Sequence, residues 1–286
     1  MTDPKFRFGT AGRPISTPKK PSGSPGVIEY LASQHLRALE INWVRSVRVS
    51  PATCQKIKET ARRHDVALSI HAPYYINLNA NEEEWPKSRK RLMDAATYGH
   101  LAGATDIVFH PGSYFGQAAA EVLRTALPRL AGCIEELRAQ DNPVTLRPET
   151  MGKGSLLGSL QDVLALSSQI DGVEPCLDFS HLHARAGDGS INSFREWSGI
   201  LETYADTLGA DALQRLHCHL SGIAYSSKGE QKHLMLDDSD MEYEALLRAL
   251  VVFDCGGRIL CESPEYMDKD ALLIQKTVQR LREEIG

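Results

Sequence analysis

Residues 106–112 read Asp106-Ile107-Val108-Phe109-His110-Pro111-Gly112. A short apolar, β-branched run stops on a histidine and then meets a Pro-Gly turn signal. Working outward, strand-like runs fall at 6–8, 38–43, 67–70, 106–109, 144–147, 174–177, 215–218 and 257–261. They recur at roughly 30–40 residues, about the length of one strand–helix unit. Helical patterns lie between them. Leu123, Leu127, Leu130, Ile134 and Leu137 share one helical face, and Ile274, Val278, Leu281 and Ile285 share another. Pro128 is expected to kink or delay the first of these helices. Strands alternating with helices in this way predict an α/β fold, a single (β/α)8 TIM barrel over residues 1–286. No G-x-G-x-x-G follows the first run, which disfavours an open dinucleotide-binding sheet.

Composition bounds the class. The chain is 42% hydrophobic and 24% charged, and charges break every apolar stretch well before the roughly 18 residues of a membrane span. Met1-Thr2-Asp3-Pro4-Lys5 lacks the apolar core of a secretory signal. A cytoplasmic protein with no membrane partner is expected, and no protein partner can be inferred. The six cysteines form no C-x-x-C pair and are read as small core residues rather than ligands or disulfides. A net charge of −5 argues mildly against a nucleic-acid partner. Clustered catalytic carboxylates would inflate that charge, however, and bound cations would reverse it locally. Residues 13–26, with Pro14, Pro18, Pro21 and Pro25, predict an extended or mobile Pro/Ser-rich loop after the first strand.

The chemistry lies at the strand ends. The later runs lead into His71, His110, Glu149, Asp178 with His181, His219 and Glu262. In a barrel the C-terminal ends of all strands converge on one mouth, so scattered residues become neighbours. Any one of them alone is more often a structural histidine or a solvated acid, but their recurrence strand after strand is not random. Imidazole and carboxylate together suit Zn2+, with Mn2+ an alternative. So many ligands exceed the needs of one ion, and two or three ions bridged by a carboxylate would clamp a phosphoester. His35, His64 and His100 are read as surface residues, and His183 is ambiguous. His217 shares a strand face with His219; His219, standing at the strand's end, is the preferred ligand.

Ser69-Ile-His-Ala-Pro-Tyr-Tyr-Ile-Asn-Leu, Phe109-His-Pro-Gly-Ser, Pro148-Glu-Thr-Met-Gly-Lys-Gly-Ser and the Asp178-x-x-His181 pair resemble endonuclease IV, the abasic-site endonuclease on a xylose-isomerase-like barrel. The resemblance runs from Leu68 to Leu272. Phe8-Gly-Thr-Ala-Gly and His219-Leu-Ser-Gly-Ile are closer in style to a divergent, archaeal-like branch. The resemblance implies a trinuclear zinc site, with His71, His110 and Glu149 on one ion. Glu149, Asp178, His219 and Glu262 would hold the second, and His181 and His233 the third. It also implies attack by a hydroxide shared between the ions on the phosphate 5′ to an abasic nucleotide. The substrate would be double-stranded DNA with abasic sites, in base excision repair. Glu149, Asp178 and Glu262 would be catalytic, while Tyr74, Tyr75 and Lys153 would contact DNA. The family's aspartate two residues before the last histidine is replaced by Gln231; Glu230, one residue earlier, would reach the metal only through a shifted loop.

Further support comes from Arg13, Lys19, Lys20, Arg147, Lys153, Arg185, Lys228 and Lys232, all placed near the mouth by sequence. Two other readings stay open. A divalent-metal-dependent sugar isomerase or epimerase could use Glu149, Asp178 and Glu262 for proton transfer. A non-catalytic damage-binding barrel could keep a structural metal.

Overall fold

The computed structural model describes residues 5–285; residues 1–4, read above as lacking a secretory core, lie outside it, as does Gly286. The strands are β1 (Phe6–Ala11), β2 (Ala38–Asn42), β3 (Ala67–His71), β4 (Asp106–Phe109) and β5 (Thr145–Pro148). They continue with β6 (Cys176–Asp178), β7 (Leu216–Leu220), β8 (Gly222–Ser226), β9 (Gly229–Leu234) and β10 (Gly257–Cys261). Eight of them form one sheet in the order β5-β4-β3-β2-β1-β10-β7-β6, every pairing parallel. Isolated parallel bridges Leu146–Val173 and Glu149–Cys176 bring the two edges of that sheet together. The result is a nearly closed barrel. β8 and β9 stand apart as an antiparallel hairpin over its mouth.

All eight runs read from the sequence are strands, 106–109 and 257–261 with the ends as read and the other six with shifted ends. β7 extends to Leu220 and takes His219 into the ladder, because its residues pair with β10 through Leu220–Cys261. The helices α1 (Gly23–Ser33), α2 (Pro51–His64), α3 (Trp85–Leu101), α4 (Ala119–Ala139) and α5 (Leu160–Gln169) pack outside. So do α7 (Phe194–Leu208), α8 (Tyr243–Val252) and α9 (Met267–Ile285), while the short α6 (Phe179–Arg185) packs against the β8–β9 hairpin at the mouth. Their starts follow from local chemistry: Ser159 with Asp162 and Ser193 with Glu196 form capping boxes. Ile28, Leu31, Ile70, Leu92, Ile107 and Trp197 are almost wholly buried between sheet and helices.

Two expectations change. α4 runs without a break through Pro128. That residue is exposed, so the carbonyl its ring leaves unbonded can turn to water. Residues 13–26 are not one mobile loop, since α1 begins at Gly23. Pro25 is tolerated there because a first-turn N–H has no intrahelical partner. Pro14 and Thr17 are buried, and Ser16 donates to Asp268 Oδ1 at 3.1 Å. No helix among the described residues is long and apolar enough to cross a membrane.

The floor of the barrel is ionic. Arg147 on β5 pairs with Asp106 on β4 and, at 2.9 Å, with Glu174, while Arg258 on β10 reaches Asp106 Oδ2 at 2.8 Å. Arg147 is therefore at the opposite end from the mouth, where sequence position had suggested it. Its side chain is the second residue before Glu149, and period-two alternation carries it one layer down the lumen. Burial alone would raise the Asp106 pKa, but Arg147 and Arg258 outweigh it and hold the carboxyl far below the usual range. A depressed folded-state pKa stabilises above the unfolded value and loses that contribution as pH falls. Asp106→Asn should therefore cost about 3 kcal/mol near neutrality, by analogy with other broken buried pairs. The difference from wild type should shrink below about pH 4, as read by urea unfolding at several pH values. A cost that is the same at every pH would contradict the assignment.

Candidate metal centre

Glu149, the residue after β5, is the hub. Its carboxylate lies 3.2 Å from His71 Nε2, 3.2 Å from His110 Nε2, 3.4 Å from His181 Nδ1 and 3.4 Å from His219 Nδ1. Those histidines come from the ends of β3, β4, β6 and β7. The strand-end convergence expected from the sequence thus holds in space. Among the described residues, four groups form within which ligand atoms all lie within 4.8 Å of one another. Three lie at the mouth: His71, His110 and Glu149; Glu149, Asp178, His219 and Glu262; and Asp178, His181 and His233; the fourth, Cys176, His217 and His219, lies deeper. Glu149 and Asp178 each belong to two groups.

Backbone contacts orient the imidazoles. His71 Nδ1 lies 2.9 Å from the Ala72 carbonyl, and His181 Nδ1 lies 2.9 Å from the Thr150 carbonyl. A carbonyl only accepts, so Nδ1 carries the proton and Nε2 is left toward the cleft. Asp178 caps α6: Oδ1 accepts the His181 backbone N–H at 2.7 Å. The Asp-x-x-His spacing is therefore that of a helix cap and the third residue of its helix. Oδ2 of Asp178, fully buried, lies 3.2 Å from His181 Nδ1 but has no hydrogen-bond partner among the described residues.

The hairpin resolves the departure at Gln231. Register runs Ile223–His233, Ala224–Lys232, then Tyr225–Glu230, which leaves Gln231 as an extra, exposed residue in a β-bulge. A bulge switches the side-chain alternation. Glu230 and His233, three apart, thereby face the same cavity, and Glu230 Oε2 lies 3.5 Å from His181 Nε2. Gly152 makes room, since a Cβ there would stand 2.6 Å from that of Glu230.

Other sequence-selected residues fall in varied places. Tyr74 and Tyr75 are 49% and 65% exposed at the rim, yet the Tyr74 ring also stacks on His110 at 5.1 Å. Lys153 is exposed on the loop that Arg185 pins, through bonds of 2.8 Å and 2.7 Å to the Met151 and Lys153 carbonyls. Arg185 is thus occupied by the protein itself. His183 is buried between the Ile191 carbonyl and Asp240, away from the centre. His35 is exposed and His64 and His100 are half-buried, outside all these groups. All six cysteines are free and buried. Cys176 does lie near His217 and His219, but burial pushes its thiol up, away from the thiolate that ligates metals.

Sequence reasoning passed over Glu40. It is fully buried on β2, with Oε2 accepting from Ser69 Oγ at 2.8 Å and lying 3.1 Å from His217 Nε2. Its signal was available: a carboxylate in the middle of the apolar run Ala38-Leu-Glu-Ile. His217 belongs to this deeper layer, whereas His219 reaches the acids above.

Charge in the centre is mutually dependent. Burial opposes protonation of His71, but Glu149 outweighs it and pushes the pKa up to about 9. Burial is likewise outweighed at His181 by Asp178 and Glu149, giving about 10. Glu149 would be raised by burial, yet His110, His181 and His219 hold it well below the usual range. Burial raises Glu262.

A profile of the xylose isomerase-like TIM barrel family matches residues 28–284. The chain is 37% identical over 275 residues to an uncharacterized protein of Methanocaldococcus jannaschii, covering 96% of this chain and 97% of that one. It is 28% identical over 202 residues to endonuclease 4 of Thermus thermophilus, 68% of this chain and 70% of the relative. Among solved structures, a D-tagatose 3-epimerase-like protein superposes with TM-score 0.74 at 19% identity, covering 98% of this chain and 100% of that chain. Endonuclease IV from Thermus thermophilus superposes with TM-score 0.68 at 21% identity and the same coverages. At such identities the structural likeness establishes the fold.

The pKa directions give a prediction. In metal-free protein, NMR titration should place His71 near 9 and His181 near 10, and Glu149→Gln should return His71 toward about 6.5. Because the folded values are raised, the stability from these pairs is fully present below about pH 6.5. It is lost as pH rises through the two folded values. Ordinary titration of both rings would refute the electrostatic reading.

Proposed function

The chain belongs to the xylose isomerase-like TIM barrel family, and we propose that it is a zinc-dependent endonuclease that cleaves the DNA phosphodiester 5′ to abasic sites. One observation carries this reading: three ligand groups overlap through shared Glu149 and Asp178. Shared carboxylates place ions next to one another, as the displacement of a phosphoester oxygen requires. The residues fit divalent metal. The nitrogen and carboxylate donors suit Zn2+, with Mn2+ less favoured by so many imidazoles. The buried Oδ2 of Asp178, 3.2 Å from His181 Nδ1 but without a hydrogen-bond partner among the described residues, is the kind of atom a cation satisfies.

His71, His110 and Glu149 would hold the first ion, and Glu149, Asp178, His219 and Glu262 the second. Asp178, His181 and His233 would hold a third, with Glu230 brought into range by the bulge at Gln231. When bound, zinc supplies Lewis acidity and a hydroxide nucleophile at neutral pH. The chain does the rest. Glu149 would hold the two halves of the centre together, and Glu262 and Asp178 would offset part of the positive charge of bound ions, leaving the remainder to face the anionic phosphate. Tyr74 and Tyr75 present rings at the rim, suited to stack where a base is missing, and Lys153 offers a phosphate contact. Next to the centre, an open cavity of about 920 Å3 is lined by Tyr74, Tyr75 and Phe115.

A specific feature favours a second reading. The cleft directly over the ligand groups has a volume of about 250 Å3, room for a monosaccharide. A metal-dependent sugar isomerase or epimerase would use Glu149 and Glu262 for proton transfer there.

Elemental analysis paired with incision of a duplex carrying one abasic analogue separates these. Two to three zinc ions and a cut 5′ to the lesion are expected. One manganese ion, no cut and turnover of a ketose would replace the proposal with the second reading. Metal-replete protein that binds the duplex without cutting would make it a binding module. Losing even an outer partner of a metal ligand costs about 10–100-fold, so Glu149→Gln should cost more than about 100-fold in incision while circular dichroism shows a folded barrel. Incision by that variant at near wild-type rate would remove Glu149 from its bridging role.

A further inference from the structure

His71 and His181 each donate Nδ1–H to a backbone carbonyl, at 2.9 Å in both cases, so Nε2 is the nitrogen free for a ligand. His219 is turned the other way. Its Nδ1 faces the acids, 3.4 Å from Glu149 Oε1 and 3.4 Å from Glu262 Oε1. Its Nε2 points down the lumen to Glu40 Oε1 at 3.0 Å. The two atoms meet without a straight N–H···O line, and neither has a hydrogen-bond partner among the described residues.

Glu40 lies on β2 and His219 on β7, which β1 and β10 separate in the sheet. Their contact therefore crosses the barrel interior. Glu40 is itself held: Ser69 Oγ donates to Oε2 at 2.8 Å, and His217 Nε2 lies 3.1 Å from that same oxygen. Oε1 is thus left for His219. Both side chains are fully buried, so water cannot substitute for either partner.

We infer that Glu40 is a positioning residue that fixes His219 as the Nε2–H tautomer and so leaves the Nδ1 lone pair for the ion shared with Glu149, Asp178 and Glu262. This rests on the metal centre proposed above. A carboxylate behind a ligating histidine orients the ring and raises its basicity. For His71 a neutral carbonyl holds the outer nitrogen, and at His181 the Thr150 carbonyl shares Nδ1 with Asp178 Oδ2 at 3.2 Å and Glu149 Oε1 at 3.4 Å, two acids of the centre itself; for His219, on the ion shared by most carboxylates, a charged group outside the ligand set does. His217 is the second donor that holds Glu40, not a ligand. The rival arrangement is the group Cys176, His217 and His219, in which a metal deep in the lumen would take a sulfur ligand and compete with Glu40 for His219.

The test uses the full chain loaded with zinc and isotope-labelled histidine. Long-range proton–nitrogen correlation should show His219 carrying its proton on Nε2 and none on Nδ1. A proton on Nδ1 overturns the inference, as does a thiolate-to-metal charge-transfer band after cobalt substitution, which would place Cys176 on the ion. Chelator competition on Glu40→Gln should show one ion bound about 10–100-fold more weakly, the affinity for the other ions being retained. Unchanged affinity for every ion overturns it. Should that variant not fold, the wild-type tautomer still decides. Failure of the wild type to take up zinc would overturn the proposed metal centre together with this inference, whereas full zinc uptake with the wrong tautomer would overturn the inference alone.

Discussion

A carboxylate that is 1% exposed and touched by four imidazoles cannot exist unless positive charge surrounds it. Glu149 imposes this condition on the mouth of the barrel. Taking such a charge out of water costs several kcal/mol even after relaxation, by general estimates for buried ions. Protonated histidines repay that cost in the metal-free protein, and divalent ions would repay it in the loaded one. The same demand explains why the histidines come from four different strand ends. No single strand or helix can surround one carboxylate, but a ring of parallel strands delivers side chains from all sides to one point.

Below this point the barrel interior is layered by polarity rather than filled with aliphatic residues. Asp106, Arg147 and Arg258 close the floor, and Glu40, Ser69 and His217 form a middle layer beneath the ligand groups. Glu174 completes the balance of the floor, whereas burial lowers the His217 pKa to about 4, so that Glu40 is offset chiefly by His219 from the layer above. Carboxylates buried without such partners would take up protons, and a ligand centre built on them would lose its charge. The apolar core has been moved outward, between sheet and helices, where Ile70, Ile107 and Trp197 are buried.

Much of this was legible in the sequence, and for a physical reason. Strand periodicity is local, so the eight runs and the ligand at the end of each of the last six could be read without knowing which strands are neighbours. The Asp178–His181 pair was legible too, because a helix cap and its third residue are fixed by chain geometry alone. Pro128 and the start of α1 were misjudged because solvent exposure and first-turn position decide whether a proline is tolerated, and neither is visible in a run of letters. Arg147 was misplaced because being near Glu149 in sequence does not mean being at the same height in the lumen.

The chain's pattern of residues by itself determined the class of fold and the candidate donors: β-branched runs at helix-length intervals, the last six leading into imidazole or carboxylate. Tertiary structure alone decided how those donors are grouped, that a bulge turns Glu230 inward beside His233, and that Glu40 backs His219 from across the barrel. The division follows from range. Alternation, capping and turns act within a few residues, whereas grouping depends on the closure of a sheet whose edges are joined by only two isolated bridges.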